Sequence, residues 1–119
     1  MEYLNYIIPI FFVLFLINKL MPTKGVRQMT TVELKQVLNK KDVQLIDVRT
    51  PGEFSSNHIK KFKNIPLHEL STKVNQLSKE KEIVVICQSG MRSNKATKIL
   101  KKLGFENVTN VKGGMSAWN

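Results

Sequence analysis

The chain has 119 residues, 42% of them hydrophobic, which suits one domain of ordinary size with a short extension and leaves no room for two. Its single cysteine, Cys87, excludes an internal disulfide framework and a cysteine-based zinc cluster, and an unpaired thiol fits a reducing compartment. The formal charge of +10 is scattered along the chain instead of forming a basic, aromatic-studded patch, which argues against nucleic acid and is compatible with a place beside an anionic membrane.

Residues 3–21 are almost wholly apolar, interrupted by Asn5, Pro9, Asn18 and Lys19. As a helix the stretch rises about 27 Å, close to a bilayer's hydrocarbon thickness, and predicts one transmembrane helix. Glu2 is the sole charge ahead of it, where a cleaved signal peptide would carry Lys or Arg, and no small-x-small cleavage site follows. Tyr3 and Tyr6 occupy interfacial positions, and Lys19, Lys24 and Arg27 come after the span, an arrangement that puts the remainder of the chain in the cytoplasm. Pro22-Thr23-Lys24-Gly25 is a breaker-rich linker, so residues 1–24 are expected to be anchor and linker and residues 25–119 the folded domain.

Met29-Thr30 predicts a helix start, with Thr30 and Glu33 as a capping box, Met29 and Leu34 as a hydrophobic staple, and Leu34, Val37 and Leu38 as the apolar face. Residues 43–48 read as a buried strand, followed by a turn at Pro51-Gly52 and a short helix through Glu53 and Phe54. Asn64-Ile65-Pro66-Leu67 reads as a brief extended segment, and Leu67, Leu70, Val74 and Leu77 keep a helical period. Residues 82–87 form the next strand. Beyond it Ala96, Ile99, Leu100 and Leu103 line one side of a helix, Lys95, Lys98, Lys101 and Lys102 the other, and Gly104 stops it. Residues 108–111 are a further strand, Gly113-Gly114 a tight turn, and residues 115–118 a closing turn with Trp118 on the core. Strands alternating with helices predict an α/β fold, a parallel sheet flanked by helices, with its ligand site at the carboxyl ends of the strands.

Cys87 occupies such an end. The apolar run Ile83-Val84-Val85-Ile86 delivers it to Gln88-Ser89-Gly90-Met91-Arg92-Ser93, and a helix begins at once. Inward-turned backbone N–H groups in a glycine loop, a helix N-terminus and a guanidinium all favour negative charge, and with it the thiolate form that makes cysteine reactive. Ser93 is expected to cap the helix. Arg92 is expected to orient an anion, to fix the loop, or to form a buried ion pair with an acidic residue. Asp47, Arg49, Glu53 and His58 are expected to be framework, with Asp47 and Arg49 the two that border the pocket.

The stretch Cys87-Gln88-Ser89-Gly90-Met91-Arg92-Ser93 resembles the active-site loop of single-domain rhodaneses. The likeness continues through Ile46-Asp47-Val48-Arg49-Thr50-Pro51-Gly52-Glu53-Phe54, His58-Ile59, Asn64-Ile65-Pro66-Leu67 and Val111-Lys112-Gly113-Gly114-Met115-Ser116-Ala117-Trp118, in that family's order. The resemblance implies a rhodanese-like fold and a sulfurtransferase: Cys87 accepts sulfur from thiosulfate or a small-molecule or protein persulfide, and passes it to a thiol or cyanide-like acceptor, with no cofactor or metal. It also implies that residues 88–93 cradle the persulfide. A carrier of the same fold that holds sulfur without turnover is the alternative. Cysteine phosphatases place five residues between cysteine and arginine where this chain has the four from Gln88 to Met91, and Ile86 stands where they carry His. Two departures from the family pattern fall in one stretch: Asn57 precedes His58 where glycine is usual, and Lys61-Phe62 replaces a small pair. Phe62 is expected to narrow the pocket or fill a satellite cluster. With no second thiol in the chain, a persulfide must be discharged by an external acceptor.

Overall fold

A computed structural model describes residues 3–20 and 24–119, with the backbone alone at 18–20. The elements in chain order are α1 (Leu4–Leu20), β1 (Arg27–Met29), α2 (Thr31–Val37), β2 (Val43–Asp47), α3 (Pro51–Ser56), β3 (Lys63–Asn64), α4 (Leu70–Lys73), β4 (Glu82–Ile86), α5 (Met91–Lys102) and β5 (Val108–Val111). All five strands are parallel, in the order β1-β5-β4-β2-β3.

The central strands are buried on both sides, which explains their unbroken apolar runs. Alternation along β4 sends Ile83 and Val85 to one face, where they meet Leu70, Ala96, Leu100 and Phe105, and Val84 and Ile86 to the other, against Met29, Leu34, Phe62 and Val111. Cys87, one residue past β4, belongs to the first cluster. Phe62 is buried in the second, so of the two roles expected for it the structure shows packing.

The Thr30 capping box forms as expected: Thr30 Oγ1 accepts from the Glu33 backbone N–H, and Glu33 Oε1 accepts from the Thr30 N–H. The same device starts α3, where Thr50 and Glu53 cap reciprocally ahead of Pro51 at the first helical position. Three expectations need correction. Pro51-Gly52, expected as a turn ahead of the short helix, are the first residues of α3 itself. The helix expected over residues 67–77 is broken into 3-10 turns at Leu67–Glu69 and Val74–Gln76 around the four residues of α4. The strand β1, which pairs Arg27 with Thr109 and Met29 with Val111, lies where no strand was expected, since three residues are too few to show a period.

The apolar N-terminus is helical, but the expectation of a transmembrane helix is not supported. The helix α1 has 17 residues and rises about 25 Å, short of the roughly 30 Å hydrocarbon layer. Among the described residues no helix is long and apolar enough to cross a membrane. The expected linker falls partly outside the described residues: Pro22 and Thr23 are not described, and Lys24-Gly25 form a turn.

Candidate active site

The strand β4 ends at Ile86, and the loop of residues 87–90 turns its chain into α5. Gly90 makes the turn with φ of +108°, a left-handed conformation that costs a side-chain-bearing residue about 1 kcal/mol or more. The turn folds the Gly90 N–H back onto the sulfur: Cys87 Sγ accepts from Gly90 N at 2.9 Å. The thiol is 1% exposed, while Gln88, Ser89 and Met91 are on the surface.

Ser93 is not the cap of α5. Gly90 holds that position, and Ser93 sits inside the first turn, fully buried, with its hydroxyl 3.2 Å from Cys87 Sγ and 3.2 Å from the Gly90 carbonyl oxygen. A hydroxyl has one proton to give. While Ser93 donates to Gly90 O it can only accept from a protonated thiol, and toward a thiolate it must turn and donate to sulfur.

The two arginines are bound to carboxylates. Arg92 grips Glu53 of α3 with both terminal nitrogens, at 2.6 and 2.9 Å, so of its expected roles the structure shows the ion pair, half-buried and not buried. These hydrogen bonds hold the Glu53 carboxyl down to about 2, and the same carboxylate raises Arg92 above its ordinary value, with the charges of Cys87 and Asp47 adding to it. Asp47 and Arg49 are 0% and 3% exposed, so their side chains stand inside the wall of the site. Arg49 Nη2 donates to Asp47 Oδ2 at 2.9 Å and to the Asn57 carbonyl at 2.6 Å, and Nη1 reaches Gln88 Oε1 at 3.4 Å. Asn64 closes the corner by donating to the Asp47 and Arg49 carbonyl oxygens. His58 is outside the site, stacked on Phe54 at 3.8 Å with Nδ1 on the Phe54 carbonyl.

One contributor was not recognised as part of the site. The turn Gly113-Gly114 after β5 lies against the loop: Met115 N–H donates to the Cys87 carbonyl and Ser116 N–H to the Gln88 carbonyl, both at 2.9 Å. A Cβ on Gly114 would stand 2.2 Å from Cys87 O, an impossible distance. The adjacent glycines directly after a strand were the available signal, since such a pair allows the close backbone approach that a side chain forbids.

The sequence model of the rhodanese-like domain matches residues 30–119. The chain belongs to the rhodanese-like domain family. Its relatives include proteins named as sulfurtransferases. It is 30% identical over 93 residues to the thiosulfate sulfurtransferase GlpE of Shewanella oneidensis, covering 78% of this chain and 92% of that protein. It is 41% identical over 75 residues to the YqhL protein of Bacillus subtilis, whose length it spans to 60% while 63% of this chain is covered. Among solved structures, the human single-domain sulfurtransferase TSTD1 superposes with a TM-score of 0.73 at 27% identity, over 79% of this chain and 96% of that one. In this rhodanese-like domain the loop presents one sulfur to one backbone N–H and one hydroxyl. Among the described residues no group of His, Cys, Asp and Glu side chains is placed to hold a metal ion.

Proposed function

We propose that the domain moves a sulfane sulfur from a donor, thiosulfate or an organic or protein-borne persulfide, through a persulfide on Cys87 to a thiol or cyanide-like acceptor. The Cys87 thiolate attacks the outer sulfur of thiosulfate, the S–S bond breaks, and sulfite leaves with the bonding pair. An acceptor thiolate or cyanide then attacks the outer sulfur of the persulfide, and the Cys87 thiolate departs. Charge balances in each half, so neither a general base nor a redox partner is required. Support comes chiefly from the 2.9 Å hydrogen bond that the Gly90 N–H gives to Sγ, an anion-stabilising donor aimed at the nucleophile. The exposed Gln88-Ser89 pair next to the buried Cys87 suits the same chemistry, because it leaves the loop open to partners.

Incubation with thiosulfate should add about 32 Da to the protein. Cys87→Ser should carry no adduct and keep the wild-type urea midpoint; an adduct on the variant refutes the assignment. Turnover with cyanide separates the transferase from a carrier, for which loading occurs without turnover.

We further propose that α1 seats in lipid with the domain on the cytoplasmic side. Residues 3–17 are all exposed and almost all apolar, and a helix apolar on every side is suited to lipid. Liposome flotation of the full chain, lost on deletion of residues 1–22, is the expected result; equal flotation of the shortened chain refutes it.

A further inference from the structure

A cleft of about 470 Å³ opens next to the catalytic loop and has no part in the reaction described above. Val48, Pro66, Leu67 and Ile99 give it an apolar floor, and Arg92 and Lys95 stand on its α5 side. Its volume is that of a small-molecule site, far more than inorganic thiosulfate fills. No carboxylate lines it. The Arg92 charge is already offset by Glu53, whereas Lys95 is exposed and its ammonium, among the described residues, makes no ion pair or hydrogen bond. Arg92, Lys95 and Ile99 follow one another at helical spacing along a single face of α5, so the cleft starts at the first turn of that helix, directly after the loop, and runs toward its middle.

We propose that this cleft binds the organic body of the sulfur partner, an apolar group bearing a carboxylate, and that Lys95 selects for the anion. The apolar floor accounts for the body and the uncommitted ammonium for the charge. A thiol acceptor and the corresponding organic persulfide donor share this chemistry, and both rest on the sulfur-transfer reading. Occupation of the cleft does not, since it requires no reaction.

The test compares 4-mercaptobenzoate with uncharged 4-mercaptobenzamide as acceptors, and their persulfides as donors, using the full chain in detergent. In Lys95→Glu the KM ratio of benzoate to benzamide should rise about fivefold in whichever arm the cleft serves. In Lys98→Glu, the same charge change one turn along at an exposed residue outside the cleft, the ratio should stay within twofold. Ser71→Trp, which fills the cleft without changing charge, should raise KM for both compounds. Binding is read without turnover on Cys87→Ser, where 4-methylbenzoate should shift the Leu67 and Ile99 methyl resonances and 4-methylbenzamide should do so more weakly. Equal ratios in Lys95→Glu and Lys98→Glu, or no methyl shifts, overturn the proposal. Failure of the wild type to load sulfur, with the methyl shifts present, overturns the transfer reading and leaves the cleft standing.

Discussion

Gly114→Ala should damage both the fold and the chemistry, although Gly114 is 27 positions from Cys87 in sequence. Gly114 has φ of +56°, where an alanine costs about 1 kcal/mol or more. The added methyl would also stand 2.2 Å from the Cys87 carbonyl oxygen and 2.9 Å from the Gln88 carbonyl, so the two segments must part by about 1 Å. That separation breaks or stretches the Met115-to-Cys87 and Ser116-to-Gln88 hydrogen bonds, each worth about 1 kcal/mol. The expected loss is about 3 kcal/mol in urea unfolding. Because a shift of about 1 Å in a reacting group costs on the order of 100-fold in rate, the rate of adduct formation from thiosulfate should fall tenfold or more. Gly52→Ala is the control: nothing lies within 4 Å of its added carbon, and it should be neutral or slightly stabilising. Wild-type stability and loading in Gly114→Ala would show that the Gly113-Gly114 turn does not brace the loop.

Two further perturbations address the ion pair beside the loop and a strained lysine elsewhere in the fold. The Glu53 carboxyl is held down to about 2 from an ordinary 4.5, chiefly by Arg92, so its contribution is present above about pH 4.5 and disappears as pH falls toward 2. The pair is about a third exposed, and solvent screening reduces the expected worth to about 1 kcal/mol. Glu53→Gln should therefore be about 1 kcal/mol less stable than wild type at pH 7, with the gap closing by about pH 2; a gap that does not change with pH would refute the ion-pair account. Lys61 is, among the described residues, the sole non-glycine with positive φ, at +78°. Lys61→Gly should raise stability by up to about 1 kcal/mol, net of the Lys61–Asn39 hydrogen bond, while Lys61→Ala, which keeps the strain, should not. A stabilised alanine variant would contradict the strain argument.

The strands β2, β4 and β5 and the capped start of α2 were legible because their signals are local: apolar runs, and Thr followed three residues later by Glu. The position of Cys87 was legible for the same reason. Where the outcome depends on contacts distant in sequence, the pattern fell short. Leu67, Leu70, Val74 and Leu77 keep a helical period, yet packing against the α5 side of the sheet takes precedence over continuous helix there. The two departures from the rhodanese pattern differ in cost for a reason invisible in sequence. Asn57 has φ of −168°, extended backbone open to any residue, whereas Lys61 is left-handed. The transmembrane reading depended on a stretch of 19 residues, and the observed helix is two shorter.

The arginines mark the largest gap between pattern and structure. A guanidinium five residues after the thiol reads as an anion ligand, but a half-exposed arginine settles on the nearest carboxylate, and α3 presents Glu53 there because Thr50 and Pro51 fix where that helix begins. Arg49 is committed likewise to Asp47 and to the Asn57 carbonyl, and touches the loop through Gln88 alone. Both side chains therefore act as struts that set where the loop lies. Negative charge on sulfur, as proposed above, would meet the Gly90 N–H, fixed by its left-handed turn, the buried Ser93 hydroxyl once it turns from the Gly90 carbonyl, and the nearby charge of Arg92. A donor held by the backbone needs no reorganisation when charge appears on sulfur, which is the condition under which a hydrogen bond contributes most to a reacting anion. The sulfur chemistry proposed at Cys87 therefore depends first on the geometry of the loop, which both arginines brace.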